Sequence, residues 1–166
     1  MFELKRLSID DGFDIYDLLQ DIPQDENGFY NSGHGITKEE FKNWLIKKHN
    51  DSIQEGLVDG WKVLSTTFFL YYNKTPVGMA NLRHFLTPAL LSAGGHIGYA
   101  ISPKYRFRGF GKELLKLTLI EAKKLNIDKV LITTNISNFA SQKVALANGG
   151  VITKKTDERV YIWIDN

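Results

Sequence analysis

A short connection between a strand-like segment and a long amphipathic segment constrains this chain more than any other feature. The strand pattern ends at Ser102-Pro103, and the sequence continues as Arg106-Phe107-Arg108-Gly109-Phe110-Gly111 directly before a helical pattern over residues 112–124. The glycines allow a tight turn, so several N–H groups can converge on one anion at the helix N-terminus, where the helix dipole adds partial positive charge. Four side chains add full charges: Lys104, Arg106, Arg108 and Lys112. The connection therefore predicts a phosphate-binding cradle.

Other phosphate-binding patterns do not fit the order of these residues. The connection contains neither a Walker lysine followed by Ser or Thr nor the spacing Gly-x-Gly-x-x-Gly, which argues against nucleoside-triphosphate and Rossmann sites. A simpler interpretation stays open, in which Gly109 and Gly111 only shape the turn and the arginines are solvated.

Length and composition predict one ordinary globular domain. The 166 residues are 43% hydrophobic and 24% charged, which favours a packed core over disorder or a coiled coil. The chain has no cysteine, which excludes thiolate metal sites and is compatible with a reducing compartment, so a cytoplasmic location is expected. The net charge of +2 is too small to indicate nucleic acid, and no apolar run is long enough for a membrane span, so neither partner is expected.

Periodicity and turn residues predict an alternation of strands and helices. Asp10 and Asp11 are candidate caps for the first helix, and Thr37 with Glu40 forms a capping-box pattern before the second. Residues 24–35 and 87–95 are expected to be loops. Residues 129–134 form a short apolar run that predicts a buried strand parallel to the strand before it. The remaining predicted strands are 2–7, 61–72, 77–86, 96–102, 151–155 and 159–164, and the remaining predicted helices are 13–22, 112–124 and 138–148.

The sequence Arg106-x-x-Gly109-x-Gly111, between a strand and a long amphipathic helix, resembles the acyl-CoA signature of the GNAT family of N-acetyltransferases. Residues 96–103 are similar to the fourth strand of that family, and Asn138 to Gly149 are similar to its Asn-containing helix, which ends in glycine. The order of elements matches nearly the whole chain, so residues 1–166 are expected to form a single domain of this type.

The resemblance implies an α/β (α+β) fold with a mixed, mostly antiparallel sheet, flanked by helices, whose fourth and fifth strands splay apart. Acetyl-CoA would be the co-substrate, with no metal, and its pantetheine arm would pair with open backbone groups of Tyr99 and Ile101. Asn138 would lie near it beyond the fifth strand. The pyrophosphate would take N–H groups from the cradle residues Arg106, Phe107, Arg108, Gly109, Phe110, Gly111 and Lys112.

The catalytic groups are less defined by the resemblance. Many GNAT enzymes use a tyrosine on the last helix as the acid for the departing thiolate, and the matching position here is Ala145. Ser141, one turn after Asn138, is a candidate for this role or an ordinary surface residue, and Tyr105 and Tyr161 are further candidates.

A proton acceptor for the amine is also needed. At the position where the family often has a glutamate, this chain has His96, which is either that base or a structural histidine bonded to a loop carbonyl. On the preceding strand, Arg83 and His84 must face opposite sides of the sheet, so only one of them can face the substrate.

The acceptor site is expected from residues 24–60 and the loop before His96. Asp21, Asp25 and Glu26 are candidates to attract a cationic amine or are solvated acids, and Asn27-Gly28-Phe29-Tyr30 either lines the pocket or anchors the core. The function expected is acetyl transfer from acetyl-CoA to a primary amine of a small molecule or protein, by direct attack in a ternary complex. An inactive acyl-CoA-binding domain and a binding module for another nucleotide are the alternatives, and a homodimer is a further expectation from the resemblance.

Overall fold

The computed structural model describes residues 1–53 and 63–166. In chain order, the elements are β1 (Phe2–Arg6), α1 (Phe13–Asp21), β2 (Asp25–Glu26), β3 (Phe29–Tyr30), α2 (Lys38–Asp51), β4 (Ser65–Tyr72), β5 (Thr75–Arg83), α3 (Pro88–Ser92), β6 (Ile97–Ile101), a 3-10 turn (Pro103–Tyr105), α4 (Phe110–Lys124), β7 (Lys129–Asn135), α5 (Phe139–Ala147), β8 (Gly150–Lys155) and β9 (Arg159–Asp165). No helix in the described ranges combines the length and apolar character needed to cross a membrane.

The longer strands form two antiparallel half-sheets. One has the order β1-β4-β5-β6 and the other has the order β7-β9-β8, while β2 and β3 form a separate short hairpin. Along β4, Phe68 packs in a core cluster with residues of α4 and the second half-sheet, whereas the next residue, Phe69, packs with α1 and α2. This alternation buries both faces of β4, which explains its almost continuous run of apolar residues.

The two half-sheets meet at one joint beside the start of β6. The His96 N–H donates to the Leu131 carbonyl oxygen at 2.9 Å, and the Leu131 N–H donates to Nδ1 of the His96 ring at 2.9 Å. Past this joint, no ladder joins β6 to β7 in the described residues, and β7 pairs with β9 instead. The splayed arrangement implied by the resemblance is therefore confirmed, whereas the described ladders are all antiparallel and β7 has no parallel partner.

Most predicted elements are present, and the Thr37 capping box is complete, with both hydrogen bonds made. The predicted cap of the first helix is wrong, because Gly12 is the N-cap of α1 and the Asp11 carboxylate instead accepts from the Ser8 N–H at 2.9 Å. The strand predicted over residues 61–72 begins at Ser65 within the described residues, and residues 61 and 62 lie outside them.

Two segments that the sequence predicts as loops contain regular structure. Asn27 and Gly28 both have positive φ, at 53° and 85°, and so form the turn of the β2–β3 hairpin, a turn signal that the loop assignment overlooked. The loop before β6 contains α3, which is capped by the Thr87 side chain. The first of these corrections matters for function because the hairpin lies at the site described below.

The joint has no room for a side chain at position 95. Gly95 has a φ of +61°, and a β-carbon there would lie 2.4 Å from the Leu131 carbonyl oxygen. By contrast, Gly35 has a φ of +88° with nothing within 4 Å of its β-carbon position. The two glycines share the backbone constraint and differ in their surroundings.

We therefore expect Gly95→Ala to lower the free energy of unfolding by about 3 kcal/mol, because strain from positive φ adds to a clash with backbone. Gly35→Ala should lower it by about 1 kcal/mol through the φ constraint alone. Urea unfolding of both variants measures the difference. Equal losses would show that the joint relaxes freely and is not a fixed point of the fold.

Candidate active site

A cavity of about 840 Å³ lies where β6 and β7 diverge. It brings together most of the residues that the sequence singles out, and it is open to solvent along the gap between the half-sheets. His96 and Arg108 are not among its lining residues. The predicted site residues that do line it are Tyr99, Ile101, Arg106, Phe107, Gly109, Phe110, Gly111, Lys112, Asn138 and Ser141.

One end of the cavity is formed by the N-terminus of α4. The N-cap residue is Gly109, with a φ of +78° and no side-chain cap, so the first N–H groups of the helix have no side-chain acceptor. Phe107 also has a positive φ, at 64°, and its side chain is fully exposed. A strained backbone beside an uncapped helix N-terminus is typical of an anion-binding loop.

The two arginines of this loop have different surroundings. The Arg106 Nε donates to the Ile101 carbonyl oxygen at 3.1 Å, and the guanidinium forms an ion pair with both carboxylate oxygens of Glu26. Arg108 instead lies over the rings of Tyr105 and Phe110, at 5.9 and 6.0 Å from their centroids. Arg106 therefore faces the cavity, and the Arg108 side chain lies outside it.

The edge of β6 along the cavity carries backbone groups that do not bond to β5. The His96 carbonyl accepts from Arg83, and the Ser102 N–H donates to Val77, so the backbone groups of the even-numbered residues face β5. By strand alternation, those of Tyr99 and Ile101 face the gap. The Ile101 carbonyl accepts from Arg106, so the groups facing the gap without a described partner are those of Tyr99 and the Ile101 N–H, and the pairing of a ligand with them stays a prediction.

A side-chain hydrogen bond crosses the cavity between β6 and α5. The hydroxyl oxygens of Tyr99 and Ser141 are 2.9 Å apart. Burial raises the pKa of Tyr99 to about 12, and the hydrogen bond to Ser141 opposes this shift. Tyr99 therefore stays protonated at neutral pH and can donate to the Ser141 oxygen. Asn138 is the N-cap of α5, where its side chain accepts from the Ser141 N–H at 3.3 Å.

The β2–β3 hairpin extends along the cavity from the cradle, where Glu26 pairs with Arg106, toward the other end, where Gly28 lies near Arg159. All four residues of Asn27-Gly28-Phe29-Tyr30 line the cavity, and Phe29 also packs against a core cluster, so both sequence interpretations apply to this residue. Of the acids considered, Asp21 forms an ion pair with Lys104 at 3.1 Å, and Asp25 does not line the cavity. Glu26 lines the cavity and is paired with Arg106.

Arg83, not His84, faces this end of the cavity. His84 Nε2 is 2.8 Å from the Thr66 hydroxyl, on the opposite side of the sheet. Tyr161, a candidate acid, donates its hydroxyl proton to the Ser92 carbonyl at 2.7 Å and does not line the cavity, whereas Tyr105 does.

Three cations lie at this end, and of these the sequence predicted only Arg83, as one of two residues that could face the substrate. Lys48, Arg83 and Arg159 come from α2, β5 and β9, and all three line the cavity. Burial lowers the pKa of the Lys48 ammonium, Asp51 raises it, and the nearby charges of Lys47 and Arg83 lower it further. No spacing in the sequence connects positions 48, 83 and 159, so only the topology could reveal this cluster.

Comparison with known proteins decides the family. A family model described as an acetyltransferase (GNAT) domain matches residues 2–151. The chain belongs to the GNAT acetyltransferase family. No curated protein matches the sequence.

Solved GNAT structures share the fold at low sequence identity. A GNAT acetyltransferase from Streptococcus pneumoniae is 17% identical, with a TM-score of 0.63 over 98% of this chain and 97% of that one. An N-acetyltransferase from Staphylococcus aureus is 17% identical, with a TM-score of 0.65 over 99% and 98% of the two chains. The Campylobacter jejuni N-acetyltransferase PseH, solved in complex with acetyl coenzyme A, is 13% identical, with a TM-score of 0.64 over 100% and 99%. The expected α/β fold is thereby confirmed.

This GNAT chain departs from the family pattern at the position of the expected acid. Ala145 is fully buried in the core cluster and does not line the cavity, whereas Ser141 on the same helix does. In the described ranges, no group of three or more His, Asp or Glu side chains has the arrangement of a metal site.

The surroundings of His96 favour the structural interpretation over the base. Its Nδ1 lone pair accepts from the Leu131 N–H, so the neutral ring carries its proton on Nε2 and has no lone pair left for an amine. Burial, aided by the charge of Arg83, lowers its pKa to about 4. The partner is a backbone N–H of β7 rather than the loop carbonyl that the sequence analysis considered.

His96→Asn tests this interpretation, because the amide oxygen can still accept from the Leu131 N–H while the titration is lost. Between pH 6.5 and about 4, His96 is protonated in the unfolded chain but still neutral in the folded protein. The free energy of unfolding of the wild type should therefore fall over this range, and that of the variant should lack this component. Urea unfolding at several pH values measures this difference. Turnover at pH 8 should fall far less than the roughly 100-fold expected for loss of a general base. A loss of that size in a stable variant would restore His96 as the base.

Proposed function

We propose that this protein transfers an acetyl group from acetyl-CoA to a primary amine in a ternary complex. The observation that carries the proposal is the uncapped N-terminus of α4, which opens into the same cavity as the unpaired edge of β6. One provides N–H donors for phosphate oxygens, and the other provides backbone partners for an extended amide-containing chain. Membership of an acetyltransferase family supports the combination.

The residues of the cradle fit a diphosphate. A β-carbon at Gly109 would meet nothing within 4 Å, so the space above the helix N-terminus is open. The first turn of α4 packs beside α5, where the β-carbon position of Gly111 lies 3.5 Å from Val144. We assign the N–H groups of the first turn of α4 to the pyrophosphate and those of Tyr99 and Ile101 to the pantetheine arm.

Acetyl-CoA, when bound, supplies an acetyl group activated as a thioester. The Ser141 hydroxyl is assigned to the leaving sulfur, to which it donates a hydrogen bond as negative charge develops. The two hydroxyl oxygens are 2.9 Å apart, and we assign Tyr99 as the donor, which leaves the serine proton free to point at the sulfur. In this arrangement Ser141 takes the place of the tyrosine that many GNAT enzymes have at the position of Ala145.

No side chain is assigned as the base. The acceptor amine must be neutral when it attacks, and its proton can leave through the solvent-open end of the cavity. Activity should therefore follow the pKa of the acceptor amine itself. The inactive-domain alternative predicts CoA binding without CoA release, and turnover against a panel of amines separates the two.

The extent of the domain is also a proposal. We propose that residues 1–166 form one acetyltransferase domain, since β9 lies outside the matched range yet pairs with β7, which lies inside it. The amine acceptor, the cytoplasmic location and the homodimer stay predictions.

Thermal unfolding with acetyl-CoA, CoA, ATP and NAD tests the cradle. A ligand at 100 times its dissociation constant adds about 2.7 kcal/mol of stability, and we expect this only with acetyl-CoA and CoA.

Gly109→Glu should weaken CoA binding about 100-fold, because it places a negative charge at the anion site. Gly35→Glu is the matched control, since it shares the positive φ and open surroundings but lies outside the cavity. Equal CoA affinity in both variants would refute the placement.

Ser141→Ala should lower kcat by roughly 10- to 100-fold, because it removes one hydrogen bond to a charged group. The dissociation constant of CoA should change little. Tyr99→Phe should lower kcat by a smaller factor, because the serine hydroxyl remains. Steady-state kinetics with CoA binding by calorimetry measures both. Unchanged kcat in Ser141→Ala would remove Ser141 from the mechanism.

A further inference from the structure

The end of the cavity lined by Lys48, Arg83 and Arg159 is called the acceptor end below. It carries positive charge that the transfer reaction does not require. Lys48, Arg83 and Arg159 line it, and among the described lining residues there only Asp51 is an acid outside the Glu26–Arg106 ion pair. Asp51 also pairs with Lys47 at 3.2 Å, a lysine that lies outside the cavity. An amine that reacts as a neutral nucleophile gains nothing from three cations, so these charges indicate another part of the acceptor.

The arginines are held in one network rather than scattered. Arg83 Nη1 donates to the carbonyl oxygens of Gly94 and Gly95, at 3.0 and 3.1 Å. The Gly94 N–H donates to the Thr133 hydroxyl at 2.9 Å, and Arg159 Nη1 donates to the same hydroxyl at 3.3 Å. The loop before β6 and strand β7 thus bring two guanidinium groups to the same wall of the cavity.

Lys48 completes the cluster from α2. Its ammonium lies 5.9 Å from the centroid of the Trp44 ring, and no hydrogen bond joins it to any of the residues that the structure describes. A half-buried ammonium with a cavity in front of it has its donors available for a ligand.

The cluster is separate from the phosphate cradle. Arg83 is level with His96 at one end of β6, because its N–H donates to the His96 carbonyl, whereas Gly78 is level with Ile101 at the end next to the cradle. Five residues of strand separate these ends, which corresponds to roughly 17 Å. Arg83 and the α4 N-terminus therefore lie at opposite ends of β6, too far apart for one anionic group to contact both.

We propose that the acceptor is a small primary amine with an anionic group, and that Lys48, Arg83 and Arg159 bind that group as its reacting nitrogen faces the gap between β6 and β7. This proposal rests on the acetyl-transfer function proposed above. Carboxylate and phosphate share the chemistry that the cluster recognises, because guanidinium groups bind both through paired N–H donors.

A panel of amines that differ only in the far group tests this. The panel contains ω-amino carboxylates and aminoalkyl phosphates with two to five methylene groups, with amino alcohols and diamines of the same lengths. We expect kcat/KM to be at least about ten-fold higher for one of the anionic series than for the matched alcohols, because a hydrogen bond to a charged group contributes this much. The diamines should have the lowest kcat/KM, because their second ammonium is repelled by the cluster. The carboxylate and phosphate arms distinguish the two sources of the charge.

Variants connect the preference to the cluster. Lys48→Gln and Arg159→Gln should each lower kcat/KM for the anionic amine about ten-fold and lower it much less for the amino alcohol of the same length, so that the ratio of the two values falls. Lys42→Gln is the control, because Lys42 is on the same helix but pairs with Asp10 outside the cavity. Equal rates for all four series, or a preference that survives in both variants, would overturn the proposal.

Calorimetry of the CoA-loaded protein with the same amines gives a readout that does not need turnover. Tighter binding of the anionic series, lost in Lys48→Gln, supports the proposal, and equal or absent binding overturns it. Failure of acetyl transfer itself is seen separately, as absence of CoA binding or of CoA release with every amine.

Discussion

Two hydrogen bonds between His96 and Leu131 determine where the active-site gap of this acetyltransferase begins. They join the half-sheets at one end of β6, and from there the strands separate toward Ile101 and the cradle. Gly95 allows the chain to pass against Leu131 at this point. The His96 ring accepts a hydrogen bond in this joint, so its role is structural. It occupies the position at which the family often has a glutamate base.

The gap separates two kinds of electrostatic site. At one end, charge comes mainly from backbone N–H groups of α4, whose direction is fixed by the helix. At the other end, it comes from side chains of three distant elements: two arginines held by hydrogen bonds to Gly94, Gly95 and Thr133, and Lys48 beside the Trp44 ring. Between them, Tyr99 and Ser141 place two hydroxyls across the gap. In the proposed mechanism, Ser141 of this pair would donate a hydrogen bond to the sulfur of the thioester.

Local sequence patterns predict the features whose cause is local. The Thr37 capping box, the closing hairpin β8–β9 and the glycine turn before α4 depend on residues within a few positions of one another, and the structure contains all three. The turn at Asn27-Gly28 was equally local, and its signal was simply overlooked.

Features that depend on burial or on contacts between distant residues could not be predicted from the sequence. Nothing near His96 in the chain indicates that its ring accepts from a backbone N–H thirty-five positions away. Ser141 could be named as a candidate, but its partner Tyr99 comes from another strand. The cluster of Lys48, Arg83 and Arg159 exists only because α2, β5 and β9 meet around one cavity. The pattern of the sequence therefore indicates the co-substrate better than the acceptor.

The strand order of the second half-sheet determines when the cavity can form. β9 lies between β7 and β8, although it follows both along the chain. During synthesis, β7 therefore has no neighbour within its half-sheet until residues 159–165 are made. Helices form from local contacts much faster than such long-range pairings, so α4 and its N-terminus can form well before the wall that carries Thr133 and Arg159. The wall that carries Thr133 and Arg159, and with it the proposed acceptor site, is consequently among the last parts of the described structure to form.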